Sequence, residues 1–127
     1  HRNLAANSEL MRAWNMPWLT RGDPELETLM LTALPLYHIY ALSCCFLLSM
    51  RMGSTSYIIR NPRDTALIVE TLAREKFHLL WGVNSTYASI LQNPKSAAID
   101  FSALRISIGG GSAIQRATAL AWHRLTG

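Results

Sequence analysis

At 127 residues, half of them hydrophobic and only 16% charged, the chain can build one compact domain with a real core, is too short for two, and is too apolar for disorder. Lys and Arg number 12 against 8 Asp and Glu, a mild net charge of +4. The basic residues are scattered, with no block that would track a phosphate backbone, so no nucleic-acid partner is expected.

In chain order, residues 3–15 read as a helix with Leu4, Leu10, Met11 and Trp14 on one side, ended by Pro17. Arg21-Gly22-Asp23-Pro24 reads as a surface turn rather than an adhesion motif. Leu29 to Leu34 reads as a buried strand, Pro35 to His38 as an elbow, and Ile39 to Met52 as a buried helix stopped by Gly53. Between Leu29 and Met50 there is no Asp, Glu, Lys or Arg, a length that meets the rule for a membrane span. Pro35 and His38 interrupt it, which favours strand, elbow and helix. Cys44 and Cys45 lie in this run. Adjacent cysteines rarely bridge each other, and two buried thiols suit a reducing compartment, so the expected location is cytoplasmic. Metal binding would need further ligands at suitable spacing, and the sequence offers none.

Ser56 to Ile59 forms the second expected strand. Asn61-Pro62-Arg63-Asp64 is a helix entry in which Asn61 or Asp64 can cap. The helix over 64–76 is expected to bury Leu67, Ile68 and Leu72 and to expose Glu70, Arg74 and Glu75. Phe77 to Gly82 is the third strand, followed by a helix over 85–92 closed by Asn93-Pro94. Leu104 to Ile108 is the fourth strand. Gly109-Gly110-Gly111 then turns into a helix over 113–125, with Ser112 and Gln115 spaced as a capping box.

Strands alternating with helices over short connections imply parallel pairing. The expected fold is a three-layer α/β unit with a mainly parallel sheet of at least four strands and helices on both faces. Ligands of such sheets bind beyond the carboxyl ends of the strands. The turns at 35–40, 61–64, 82–85 and 109–112 are therefore where function is sought.

Each motif has two readings. The triple glycine lets backbone approach a flat ligand and aims helix-start amides at an anion, or is simply a flexible turn. Ile114 stands where a dinucleotide fingerprint needs its third Gly, which argues against that cofactor class. His38 is either a satisfied structural histidine or a functional group beyond a strand end. No nucleophile pairs with it by spacing, since Ser43 and Cys44 fall inside the predicted buried helix. Trp81-Gly82-Val83-Asn84-Ser85 is either core packing or the apolar wall of a site.

The runs His1-Arg2-Asn3-Leu4 with Ala6-Asn7, LPLYHIYAL at 34–42, NPRD at 61–64, GVNSTY at 82–87 and DFSALRISIGGG at 100–111 occur in order and in register across the whole chain. In these runs the sequence resembles bacterial long-chain fatty acyl-CoA synthetases of the adenylate-forming superfamily. The resemblance implies a two-step reaction. A fatty acid carboxylate attacks the α-phosphate of ATP, with Mg2+, to give an acyl-adenylate and pyrophosphate; coenzyme A then displaces AMP. It also implies that His38 positions the carboxylate without acting as a general base. Tyr40 would line the same pocket, and Leu42 would stand where some relatives carry a tryptophan gate. Val83, Asn84 and Ser85 would wall the acyl site, and Gly109, Gly110, Gly111 and Ser112 would pack against the nucleotide. Many relatives have Pro at the position of Ala113.

By the same resemblance, residues 1–127 form a single α/β subdomain, the central part of the large adenylate-forming domain. The phosphate loop is expected before His1, and the Tyr-Gly-x-Thr-Glu segment and C-terminal domain after Gly127. The piece alone is expected to be inactive. Peripheral contact with the inner membrane and self-association of the fragment are compatible with this reading. A fatty acyl-AMP ligase fragment and a non-catalytic α/β binding module are the alternatives.

Overall fold

The computed structural model describes residues 1–23 and 25–127. Four strands, β1 (Leu29–Thr32), β2 (Thr55–Ile58), β3 (Leu79–Gly82) and β4 (Ile106–Gly109), form one sheet in the order β2-β1-β3-β4. All three pairings are parallel, from Leu29↔Thr55 to Gly82↔Gly109. The central strands read as continuous apolar runs because both of their faces are covered. Leu31 and Leu80 face one layer, and Met30, Leu79 and Trp81 face the other.

The first layer holds α3 (Thr65–Arg74), α4 (Asn84–Gln92) and α5 (Arg116–Thr126). Its core includes Ile68, Val69, Leu72, Ile90 and Trp122. Asp64 caps α3 by accepting a hydrogen bond from the Leu67 amide at 2.9 Å. Asn61 instead accepts from the Arg63 amide at 3.2 Å, in a tight turn just before it. Leu67 is exposed, contrary to the sequence expectation. The buried face of α3 is set by Ile68, Val69, Thr71 and Leu72, one residue further round.

The second layer holds α1 (Arg2–Thr20), a π-helical segment (Ala41–Leu47) and α2 (Leu48–Met52) that continues it. Gly53, at φ 66, ends α2 as expected. Pro17 does not end α1, which runs on to Thr20. The extra turn carries Leu19 into the core, where it is fully buried. Burying a leucine contributes about 1.5–3 kcal/mol, comparable with the cost of about 3 kcal/mol for an interior proline. Arg21 and Gly22, both at positive φ, form the turn after it, and Pro24 lies outside the described residues. The inward face of α1 also differs from expectation. Leu10 and Trp14 point outward, whereas Ser8 and Asn15 are buried. Those two polar side chains donate to the carbonyls of Leu4 (3.0 Å) and Met11 (2.7 Å), so they enter the core already satisfied.

The apolar stretch from Leu29 to Met50 divides into strand, elbow and helix. Among the described residues no helix is long and apolar enough to cross a membrane.

Candidate functional site at the carboxyl rim of the sheet

The loops that leave the four strands at their carboxyl ends converge on one cleft of about 580 Å³, within the range of small-molecule sites. Ala33, Leu34, Pro35, His38, Tyr40 and Ala41 come from the segment after β1. Pro62 and Arg63 follow β2, Val83 to Thr86 follow β3, and Gly111 and Ser112 follow β4. The wall is mainly apolar on the β1 side, whereas on the β3 side Val83 stands beside the polar Asn84, Ser85 and Thr86. Among the described lining residues there is no Asp or Glu.

His38 is held by its backbone and its own ring. Its amide donates to the Pro35 carbonyl at 3.0 Å, and its carbonyl accepts from the Leu42 amide at 2.9 Å. Its Nδ1 accepts a hydrogen bond from the Tyr40 amide at 3.1 Å. That bond requires a lone pair on Nδ1, so in the neutral ring the proton sits on Nε2. The structure therefore presents an N–H donor from an exposed ring at the cleft. The wide π turn begins three residues later, and π-helical insertions are frequent at functional sites.

Tyr40 ties the rim together. Its hydroxyl lies 3.3 Å from the carbonyls of both Gly82 and Ile108, and its ring stands edge-on to Trp81 at 5.9 Å. Tyr87, from the opposite layer, donates to the Ile108 carbonyl at 2.8 Å and approaches the Leu80 carbonyl at 3.2 Å. Burial pushes both phenols well above their usual pKa, so both stay protonated donors. The ends of β3 and β4 are thus fastened from both faces of the sheet, and the Gly110 amide adds a bond to the Gly82 carbonyl at 3.1 Å.

The glycines have separate reasons. A Cβ on Gly110 would stand 2.7 Å from the Tyr40 Cζ, so only glycine lets the phenol lie against the turn. Gly111 has φ +77, which favours glycine, and a Cβ there would touch Val83 at 3.4 Å. Gly109 is packed against Ile114 and lies outside the cleft; it lines a separate cavity of about 410 Å³ beside Trp122.

Of the residues singled out from the sequence, His38, Tyr40, Val83, Asn84, Ser85, Gly111 and Ser112 line one cleft, and Gly110 packs beneath Tyr40. Leu42 is not among the lining residues. It has turned into the π-helical segment, half-buried. The capping box of Ser112 and Gln115 does not form, because α5 starts later, with Gln115 itself at the N-cap. The Gln115 amide is taken instead by the Asn84 side chain at 2.9 Å, which links the β3 and β4 loops. Sequence reasoning missed Arg63 as a wall of the cleft and Tyr87 as a fastener of the rim. Both lie in runs it had already marked, at a strand exit and in GVNSTY.

The cleft suits a nucleotide head in one respect: at Gly111 its lining is backbone without a side chain, which a flat ligand can approach closely. It does not suit magnesium by itself, since no described lining residue offers a carboxylate.

The profile of the AMP-binding enzyme family matches residues 1–127. The chain is 42% identical over 127 residues to a long-chain-fatty-acid–CoA ligase of Yersinia pestis, covering all of this chain and 22% of that protein. It is 38% identical over 130 residues to the ligase of the same name from Haemophilus influenzae, again over 22% of its length. The chain thus spans about a fifth of the curated relatives it matches. Among solved structures, ATP-bound MatB from Rhodopseudomonas palustris superposes with a TM-score of 0.73 at 28% identity, over 96% of this chain and 22% of that one. The adenylation domain of a keto acid-selecting NRPS module shares the fold at a TM-score of 0.80 and 24% identity, over 98% of this chain and 22% of that one. With the family profile spanning its whole length, the chain belongs to the AMP-binding enzyme family.

Proposed function

We propose that this segment is the acyl- and adenylate-pocket portion of a long-chain fatty acid–CoA ligase, part of a larger adenylate-forming domain whose remaining machinery lies in other parts of the full-length protein. One observation carries the reading: His38 and the glycine turn, far apart in sequence, flank a single cleft at one rim of a parallel sheet. The names of the 42% and 38% identical relatives support a fatty acid and coenzyme A as substrates. The ATP-bound neighbour supports ATP.

In the first step a carboxylate oxygen bonds to the α-phosphorus of ATP and pyrophosphate leaves. A carboxylate is already ionised at pH 7, so no general base is needed; positioning and charge stabilisation carry the step. The His38 Nε2–H orients the carboxylate by a hydrogen bond. Gly110, Gly111 and Ser112 receive the nucleotide side, with Gly109 fixing their approach. Val83, Asn84 and Ser85, with Tyr40, wall the head of the acyl chain, where each buried methylene contributes about 0.8 kcal/mol. In the second step the coenzyme A sulfur bonds to the acyl carbon, the bond to phosphate breaks, AMP leaves, and the thiol proton passes to solvent. Magnesium accompanies ATP and finds its carboxylate ligands outside this segment. We place the full-length protein in the cytoplasm, with peripheral contact at the inner membrane where its substrate partitions, and the segment alone is inactive.

The test is pyrophosphate exchange into ATP by the full-length protein, with and without a long-chain fatty acid, followed by thioester formation on adding coenzyme A. Both reactions are expected. Exchange without a thioester points to a fatty acyl-AMP ligase; no exchange in the presence of fatty acid contradicts adenylation and leaves a binding module.

A further inference from the structure

We infer that Arg63 recognises a phosphate of the thiol acceptor, coenzyme A, at the end of the cleft away from the nucleotide; the inference rests on the reading above. Arg63 lines the cleft and is the only Lys or Arg among its described lining residues. None of the described ion pairs involves it. The neighbouring Asp64 is occupied in capping α3. The Arg63 backbone is itself held, its amide by the Asn61 side chain at 3.2 Å and its carbonyl by the Thr65 amide at 3.0 Å. An exposed arginine is usually just solvated. Arg63, anchored through its backbone at a cleft without a described carboxylate, gives that cleft a positive field that favours an anion.

The sheet order decides which anion. Strands run β2-β1-β3-β4, so the Arg63 loop and the glycine loop stand at opposite ends of the rim. Three strand spacings separate them, about 14 Å. His38, in the segment that follows β1, lies between them. With the nucleotide at the glycine end and the carboxylate at His38, the Arg63 end is left for a third group. An alkyl chain is a poor candidate, because it would strip water from a guanidinium without replacing its hydrogen bonds. The remaining substrate carries phosphates, and a guanidinium fork matches phosphate oxygens in pairs.

The experiment uses the full-length protein with Arg63→Ala and Arg63→Lys, assayed for pyrophosphate exchange and for thioester formation with coenzyme A and with pantetheine, which has the thiol but no phosphate. Arg63→Ala is expected to lower kcat/KM for coenzyme A roughly tenfold, the scale of losing a charged hydrogen bond. The loss with pantetheine is expected to be far smaller, with Arg63→Lys intermediate for coenzyme A. Equal losses with both thiols, or a loss concentrated in exchange, overturn the assignment while leaving the ligase reading intact. Absence of exchange in the unmodified protein removes that reading and this inference with it.

Discussion

The two faces of the sheet are built differently. The face covered by α3, α4 and α5 wedges Trp122 between Tyr87 (4.9 Å) and Phe101 (5.6 Å), and the polar residues it buries are small hydroxyl ones, Thr71, Thr86, Ser96 and Thr118. The face covered by α1 and the π-helical segment admits Ser8, Asn15, Ser43 and two cysteines, and turns Trp14 and Trp18 outward at 73% and 67% exposure. The cleft borrows from both. The first face supplies rigidity through Tyr87, and the second supplies His38 and Tyr40 from the entry to the π turn. In the proposed function, the reacting group is thus positioned from the second layer and the rim is braced from the first.

Substitutions separate them. The largest effect is expected at the junction. Gly110→Val drives a side chain into Tyr40 and is expected to cut acyl-dependent pyrophosphate exchange by the full-length protein about a hundredfold. Retained exchange would mean that the turn does not border the reacting groups. Next is Trp122→Ala, which leaves a void in the core of the first face and is expected to cost about 3–5 kcal/mol in denaturant unfolding. The exchange rate per folded molecule should hold, since Trp122 does not line the cleft; if activity falls while stability holds, the division fails.

A smaller effect is expected from pH. His78 accepts a hydrogen bond from the Leu29 amide at 3.0 Å, and burial, then the nearby Arg105 charge, hold its pKa below the usual value. The unfolded chain therefore binds the proton more readily than the folded one. The His78 contribution is complete above the unfolded pKa of about 6.5 and is lost as pH falls from there through the lower folded value. Thermal midpoints between pH 7.5 and 5.5 should decline, and His78→Gln should flatten part of that decline. The smallest effect is expected at Trp14→Ser and Trp18→Ser, each within about 0.5 kcal/mol because both rings are exposed. A large destabilisation would show that this outer stripe is covered in solution, and sedimentation of both variants would reveal by what.

How much of this was legible in the sequence follows the same division. On the α3–α5 face, apolar spacing located the helices, the run Asn61–Asp64 offered two caps of which Asp64 serves, and the four strands emerged nearly in place. On the other face the signal inverted. Ser8 and Asn15 look like surface residues, yet each satisfies itself on its own helix and turns inward, which spacing alone does not reveal. Pro17 looks like a stop, but the buried Leu19 beyond it offsets much of the local preference. The π turn has no sequence marker. At the rim, strand ends and motif runs pointed to His38, Tyr40 and the glycines. Leu42 does not line the cleft, because it lies within the π turn, which has no sequence marker. Arg63 was passed over because a helix entry explained its run sufficiently.

The account rests on where the reacting groups lie, and a crystal structure of the full-length protein with a non-hydrolysable long-chain acyl-adenylate analogue tests that directly. The account predicts the acyl carbonyl within hydrogen-bond reach of the His38 Nε2 and the nucleotide against Gly110, Gly111 and Ser112. An analogue bound elsewhere, such as in the cavity beside Trp122, with this rim empty, would contradict it.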